Sequence, residues 1–215
     1  MFEELLRFDK KKTYCFFDAE TFNLCLNFRQ NRAWQLGIVK VQGDNIIGSE
    51  DMLVNWTKQT DLRVGAEAAR ITRYDHSKLL ALGKDPKEVW MTAEKYFEEC
   101  DFIAGHNILN FDAYILKGWA EYLNRPWKHF TPKMIDTRCL ALGMKLSIPY
   151  DRNMGSLIEY QYRMLNRSVR GTKTSLTALG KEYNIDHDYA NLHNAIVDLQ
   201  LNVKVWNKQK FQIEI

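Results

Sequence analysis

The sequence predicts an α/β fold: a mixed sheet with opening antiparallel strands and helices on both faces. Two patterns carry that reading. Near the N-terminus an aromatic strand is followed by a second apolar strand and a Gly-Asp-Asn turn into a third, which is a meander. Helical periodicity then alternates with short apolar runs, and such alternation covers both faces of a sheet with helices. Composition agrees: 215 residues, 46% hydrophobic and 27% charged, match a soluble globular domain with enough chain to bury a full core.

The first strand is Thr13-Tyr14-Cys15-Phe16-Phe17, running on into Asp18-Ala19-Glu20. Trp34 to Val41 forms the second, and the turn Gly43-Asp44-Asn45 leads to a third beginning at Ile46. From Asp61 the pattern becomes helical, with Ala66, Ala68, Ala69 and Ile71. A longer helix over Lys87 to Cys100 carries Val89, Trp90, Ala93, Phe97 and Cys100, with Pro86 suited to its start. Asp101 to Gly105 reads as a short buried strand and Phe111 to Leu123 as the helix after it. Met134 to Thr137 is a further strand, Ser175 caps a helix reaching about Tyr183, and a final helix spans about Asn191 to Lys208.

No repeat, low-complexity tract or linker divides the chain, so one domain is expected over 1–215, with its core at about 12–207. The acidic start, Met1-Phe2-Glu3-Glu4, is unlike a signal peptide. No apolar run approaches the roughly 18 residues of a membrane span, so a cytoplasmic protein with no membrane partner is expected. Cys15, Cys25, Cys100 and Cys139 form no CxxC pair and read as reduced thiols. The net charge of +3 is too mild to announce a polyanion partner. Its distribution is more informative: between 150 and 174, five bases face two acids, a surplus equal to that of the whole chain. With Tyr160 and Tyr162 among its arginines, this basic insertion is read as a phosphate-contacting arm, or alternatively as a solvated surface loop.

Three sets of acids carry chemistry. Asp18 and Glu20 stand two apart at a strand end, so both side chains leave the same face. Burying two like charges together is costly unless a cation neutralises them, and all-oxygen donors suit Mg²⁺ or Mn²⁺ better than zinc. The alternative is a solvated strand end. Asp112 lies at a helix entrance, where the helix dipole favours an acid whatever the function. Asp198 sits within the apolar stretch Ala195, Ile196, Val197, Leu199 and Leu201, where an unpaired carboxylate is hard to accommodate. His193, five positions earlier, would lie roughly 140° around a helix from Asp198. It makes better sense on the loop or first turn, with a reference pKa of about 6.5 that suits a base. His106 reads as a structural hydrogen-bond partner.

In this order, the four acids and the histidine resemble the DEDDh 3′→5′ exonucleases, a family with the ribonuclease-H-like fold of polymerase proofreading subunits. Phe16-Phe17-Asp18-Ala19-Glu20-Thr21-Phe22-Asn23-Leu24 is similar to the family's strand followed by D-x-E-T-x-G-L. Trp34 to Gly37 resembles its I-E-I-G strand, Ile103 to Asp112 its H-N-x-x-F-D motif, Asp136-Thr137 its D-T, and His193-x4-Asp198 its third motif. Asn194, not Tyr, stands four before Asp198, which disfavours the tyrosine branch. Asn23 replaces the usual Gly, a substitution that the tolerance of Asn for left-handed backbone allows. Phe22 replaces a common Thr.

The resemblance implies two Mg²⁺ ions, with Mn²⁺ able to substitute, held by Asp18, Glu20, Asp112 and Asp198, Asp18 being shared. It implies that His193 takes the proton from the attacking water and that nucleoside 5′-monophosphates leave. Leu24 and Phe22 would press on terminal bases, with core packing as the alternative, while the Thr21 backbone and Asn107 help fix the strand end. Arg163 and Arg167, in the basic insertion, would contact phosphates. The expected partner is a single-stranded nucleic acid 3′ end, DNA favoured over RNA, with a polymerase or replication protein as a further partner. RNA trimming by the same chemistry and a catalytically silent binding domain are the alternatives.

Overall fold

In the computed structural model the described residues are 5–167, 169–192 and 194–215. The meander is β1 (Thr13–Thr21), β2 (Ala33–Gln42) and β3 (Asn45–Leu53), all antiparallel. A crossover through α1 (Ala66–Thr72), α2 (His76–Leu82) and α3 (Pro86–Glu99) leads to β4 (Phe102–Gly105), which lies parallel to β1. Then α4 (Asp112–Tyr122) returns the chain to β5 (Met134–Asp136), parallel to β4. The chain ends in α5 (Thr137–Lys145), α6 (Leu157–Leu165), α7 (Leu176–Glu182) and α8 (Ala195–Gln209). Among the described residues these strands make one sheet in the order β3-β2-β1-β4-β5. No described helix is long and apolar enough to cross a membrane.

β1 is the central strand, and its residues 14–17 are all buried because both of its faces are covered. Cys15 and Phe17 face a core with Trp90, Phe97, Ile115 and Trp119 of α3 and α4. Tyr14 and Phe16 face the opposite core, with Cys139 of α5, Tyr160 and Met164 of α6, and Leu199, Val203 and Trp206 of α8. This alternation decides where the acids point. Asp18 and Glu20 continue the set of Tyr14 and Phe16, so they emerge on the α8 side. Because β1, β4 and β5 are parallel, their carboxyl ends open at the same edge of the sheet, where ligands of such sheets gather.

Helices α2, α5 and α6 are additional to the elements expected from sequence, and two boundaries differ. Thr137 is not strand: Asp136 ends β5 and its side chain caps α5, accepting from the N–H of Arg138 and Cys139 at 2.9 and 3.2 Å. The last helix starts at Ala195 rather than near Asn191, because Asn194 caps it and residues 189–191 form a separate single turn. The basic insertion is not a loop throughout, for its middle third is α6. Ser156 caps that helix through the N–H of Glu159, a Ser-x-x-Glu signature present in the sequence.

Helix α6 also covers the free edge of β5. The Gln161 carboxamide accepts from the Asp136 N–H at 2.6 Å and donates to the Met134 carbonyl at 2.9 Å, replacing a neighbouring strand by one side chain. Tyr160 is buried and donates to the Ile148 carbonyl, so it is a core residue and not a stacking platform. Gln161→Leu leaves two buried backbone groups unpaired and is expected to lower unfolding free energy by about 2–4 kcal/mol. Urea denaturation of the variant measures this, and a loss below about 1 kcal/mol would show that the edge is satisfied in another way.

Candidate active site

Asp18 and Glu20 reach the carboxyl end of β1 on the α8 side, and Asp198 descends from the first turn of α8 to meet them. One carboxylate oxygen of each lies within 4.8 Å of the others. The approach depends on Gly37, which pairs with Asp18 across β1 and β2. A Cβ at Gly37 would stand 2.7 Å from the Cβ of Ala195 and 3.1 Å from Leu199, so only glycine lets the start of α8 lie this close to the sheet. The Asn194 carboxamide fixes the helix start by accepting from the N–H of Ile196 and Val197 at 3.2 and 3.3 Å.

Asp112 comes from the other side, at the first residue of α4. It is buried and accepts from the Ala19 N–H at 3.2 Å, which ties α4 to the strand carrying Asp18 and Glu20. The loop before it is built on Asp136. This fully buried carboxylate accepts from the N–H of Asn107 and Leu109, both at 3.0 Å, in addition to its capping bonds to α5. His106-Asn107 and Phe111-Asp112 are separated by three residues, one more than in the H-N-x-x-F-D pattern. A turn absorbs the extra residue: Asn107 takes φ 65° and its carbonyl accepts from the Asn110 N–H at 3.1 Å. An open cleft of about 610 Å³ results, with Asp18, Glu20, Asp112 and Asp198 on its walls beside Leu24, Asn107 and Phe111.

Electrostatically this cluster is strained. Burial, then the neighbouring Asp198 carboxylate, pushes Asp18 up to about 7. Burial followed by Asp18 and Asp198 pushes Glu20 up to about 8. Burial and Asp18 hold Asp112 well above the usual carboxylate range, against the Ala19 hydrogen bond. Among the described residues, those that line the cleft with these four acids include no lysine or arginine. An all-oxygen donor set with surplus negative charge fits a hard divalent cation.

The remaining expected site residues divide. Leu24 is 87% exposed and lines the cleft, so its side chain is free to meet a ligand. Phe22 is 4% exposed and packs edge-on against Tyr74, with ring centroids 6.0 Å apart, so the core-packing alternative holds for it and the base-pressing role does not. Thr21 donates its hydroxyl to the Asn23 carbonyl at 2.7 Å, while its own carbonyl accepts from the indole of Trp34. Asn107 lines the cleft, and its carboxamide oxygen is buried without a partner. Asn23 does not use left-handed backbone. Its carboxamide instead accepts from the Cys25 N–H at 2.8 Å and donates to the Gln30 carbonyl at 2.8 Å, folding the loop that presents Leu24. Arg163 and Arg167 are exposed on and just after α6, do not line the cleft, and Arg163 donates to the Met154 carbonyl. His193 lies outside the described residues. His106 bonds the Thr137 hydroxyl at 3.0 Å and burial lowers its pKa to about 4, so it is a neutral structural partner.

No family model matches the chain, and no curated protein matches its sequence. Solved structures match it well. Exonuclease I of E. coli in complex with a dT13 oligonucleotide aligns at a TM-score of 0.69 and 18% identity, over 93% of this chain and 41% of that one. The fold is the ribonuclease-H-like fold of exonuclease I. A zinc-bound complex of the same E. coli enzyme with single-stranded DNA aligns at 0.67 and 20% identity, over 94% of this chain and 41% of the other. An apo exonuclease I structure aligns at 0.66 and 20% identity, over 94% of this chain and 42% of that one. This chain therefore spans less than half the length of these exonuclease I structures.

Raised carboxylate pKa values couple the cleft to stability. Folded Asp18 and Glu20 retain protons that the unfolded chain has released, so metal-free stability falls as pH rises from about 4 towards 7 and 8. Thermal melts in chelator are expected to show this fall, and Asp18→Asn to flatten it. Added Mg²⁺ should raise the melting temperature more at pH 8 than at pH 5. An equal shift at both values would mean that the ion binds elsewhere.

Proposed function

We propose that this chain is a divalent-metal-dependent 3′→5′ exonuclease that releases nucleoside 5′-monophosphates from single-stranded DNA. One observation carries the reading: four carboxylates from β1, α4 and α8 line a single open cleft at the carboxyl end of a parallel strand set. The oligonucleotide complexes of the similar exonuclease I structures favour DNA as the substrate.

Asp18, Glu20, Asp112 and Asp198 would hold two Mg²⁺ ions, with Mn²⁺ able to substitute. When bound, such ions supply Lewis-acid stabilisation of charge on the scissile phosphate and the departing 3′-oxygen. The protein does the rest by position. The Ala19 N–H bond orients Asp112 on the wall of the cleft. His193 accepts the proton of the attacking water as general base. Leu24 abuts the terminal base, and Asn107 offers a polar contact where its loop meets the strand end.

Incubating 3′- and 5′-labelled DNA and RNA oligonucleotides with Mg²⁺, and separately with chelator, tests polarity, sugar preference and metal need together. Asp18→Ala is expected to abolish hydrolysis with the fold preserved by circular dichroism. His193→Ala should lower the rate by about 10²–10⁴-fold while calorimetric Mg²⁺ binding persists. An unchanged rate in either variant defeats the assignment. Charge reversal of Arg163 and Arg167 together is expected to weaken strand binding and flatten its salt dependence. Identical affinity and salt slope would remove those two arginines from the interface.

A further inference from the structure

The loop between β1 and β2 builds a second feature beside the cleft. The buried Asn31 carboxamide accepts from the Asn23 N–H at 3.1 Å and donates to the carbonyls of Asn23 and Cys25 at 2.7 and 2.8 Å. So held, the loop lays Phe28 directly on α4 at Gly118, where a Cβ would come within 2.4 Å of the Phe28 Cβ. Phe28 also meets Trp56 and Tyr122, with ring centroids 5.6 and 5.9 Å away.

Arg32 sits within this aromatic group. Its guanidinium carbon lies 4.6 Å from the Trp56 ring, 5.1 Å from Phe28 and 5.4 Å from Tyr122. Only 8% of the residue is exposed, and Nε and Nη1 are buried without a hydrogen-bond partner. No carboxylate among the described residues compensates the charge. Aromatic faces offset part of the cost of desolvating a guanidinium, but they satisfy none of its donors. A buried positive charge without a counter-ion is an arrangement that an anion completes.

The adjoining groove has matching chemistry. Phe28 and Tyr122, two walls of the arginine cage, also line an open groove of about 470 Å³ between the loop and α4. Arg29 and Lys117 border it against one acid, Glu121, which stands 3.8 Å from Lys117. Leu26, Tyr114 and Tyr122 present exposed apolar surface there. The groove continues the cleft along both bordering segments: Leu24 and Phe111 line the cleft, Leu26 and Tyr114 the groove.

Building on the exonuclease reading, we propose that this groove is a subsite for the internal part of a single-stranded nucleic acid, upstream of the nucleotide being removed. Bases stack on Tyr114 and Tyr122, Arg29 and Lys117 contact phosphates, and Arg32 supplies an unscreened positive charge beneath them. Strands long enough to leave the cleft therefore gain affinity that a dinucleotide cannot.

The test compares kcat/KM for dT2 and dT10 in the wild type, in Tyr114→Ser/Lys117→Gln, and in Arg32→Met and Arg32→Lys. The wild type is expected to prefer dT10. The exposed double variant should cut the dT10-to-dT2 ratio by about tenfold or more, the size of one lost base stack. Arg32→Met should cut it too, and Arg32→Lys should restore most of it. The exposed pair keeps the test meaningful if Arg32→Met does not fold. An unchanged ratio in the double variant overturns the subsite, as does a wild type that cleaves both lengths equally. A wild type that cleaves neither fails the exonuclease reading itself, and the two failures are thereby distinguished.

Discussion

Desolvation and mutual repulsion within one cluster of carboxylates are the constraint around which the rest of this protein is arranged. Asp18, Glu20 and Asp198 bring oxygens within 4.8 Å of one another, and Asp112 adds a fourth acid to the same cleft. Each of these groups would be better solvated apart, and the elevated pKa values of Asp18, Glu20 and Asp112 record that cost. Strain of this kind concentrates where a site is prepared for something positively charged.

The scaffold resists the repulsion with a few specific contacts. Gly37 removes the side chain that would hold α8 away from the sheet, and Asn194 anchors the first turn of that helix. Asp136 is itself a buried acid, but four backbone N–H groups surround it, so its charge is spent on joining β5, α5 and the loop that leads to Asp112. Two acids on parallel strands that flank β4 thus have opposite roles. Asp136 is saturated by hydrogen bonds and structural, whereas Asp18 lacks such partners and is available to a ligand.

Charge is used in a similar way on the loop side. Asn31 organises the chain reversal that exposes Leu24 and sends Phe28 onto α4, while the uncompensated guanidinium of Arg32 lies under the surface beside it. The acidic cleft and the groove bordered by Arg29 and Lys117 share their bordering segments. Basicity counted along the chain directs attention to 150–174 instead. There, α6 spends Tyr160, Gln161 and Met164 on packing and on closing the β5 edge.

What could be read from residues alone was whatever depends on neighbours in sequence. Strand alternation put Asp18 and Glu20 on one face, apolar periodicity located α3 and α4, and the ordered acids pointed to a shared chemistry. Helix α6 is legible in its Ser-x-x-Glu cap, a local signal that the surplus of bases around it masks. Phe22 and Leu24, two residues apart, were indistinguishable in sequence. One entered the core against Tyr74 and the other stayed exposed, because the Asn23 and Asn31 bonds turn the chain between them. The closure of Asp198 on Asp18 through Gly37, the saturation of Asp136 and the isolation of Arg32 required the folded molecule. They are set by distances between segments far apart along the chain, and local sequence preferences carry no measure of such distances.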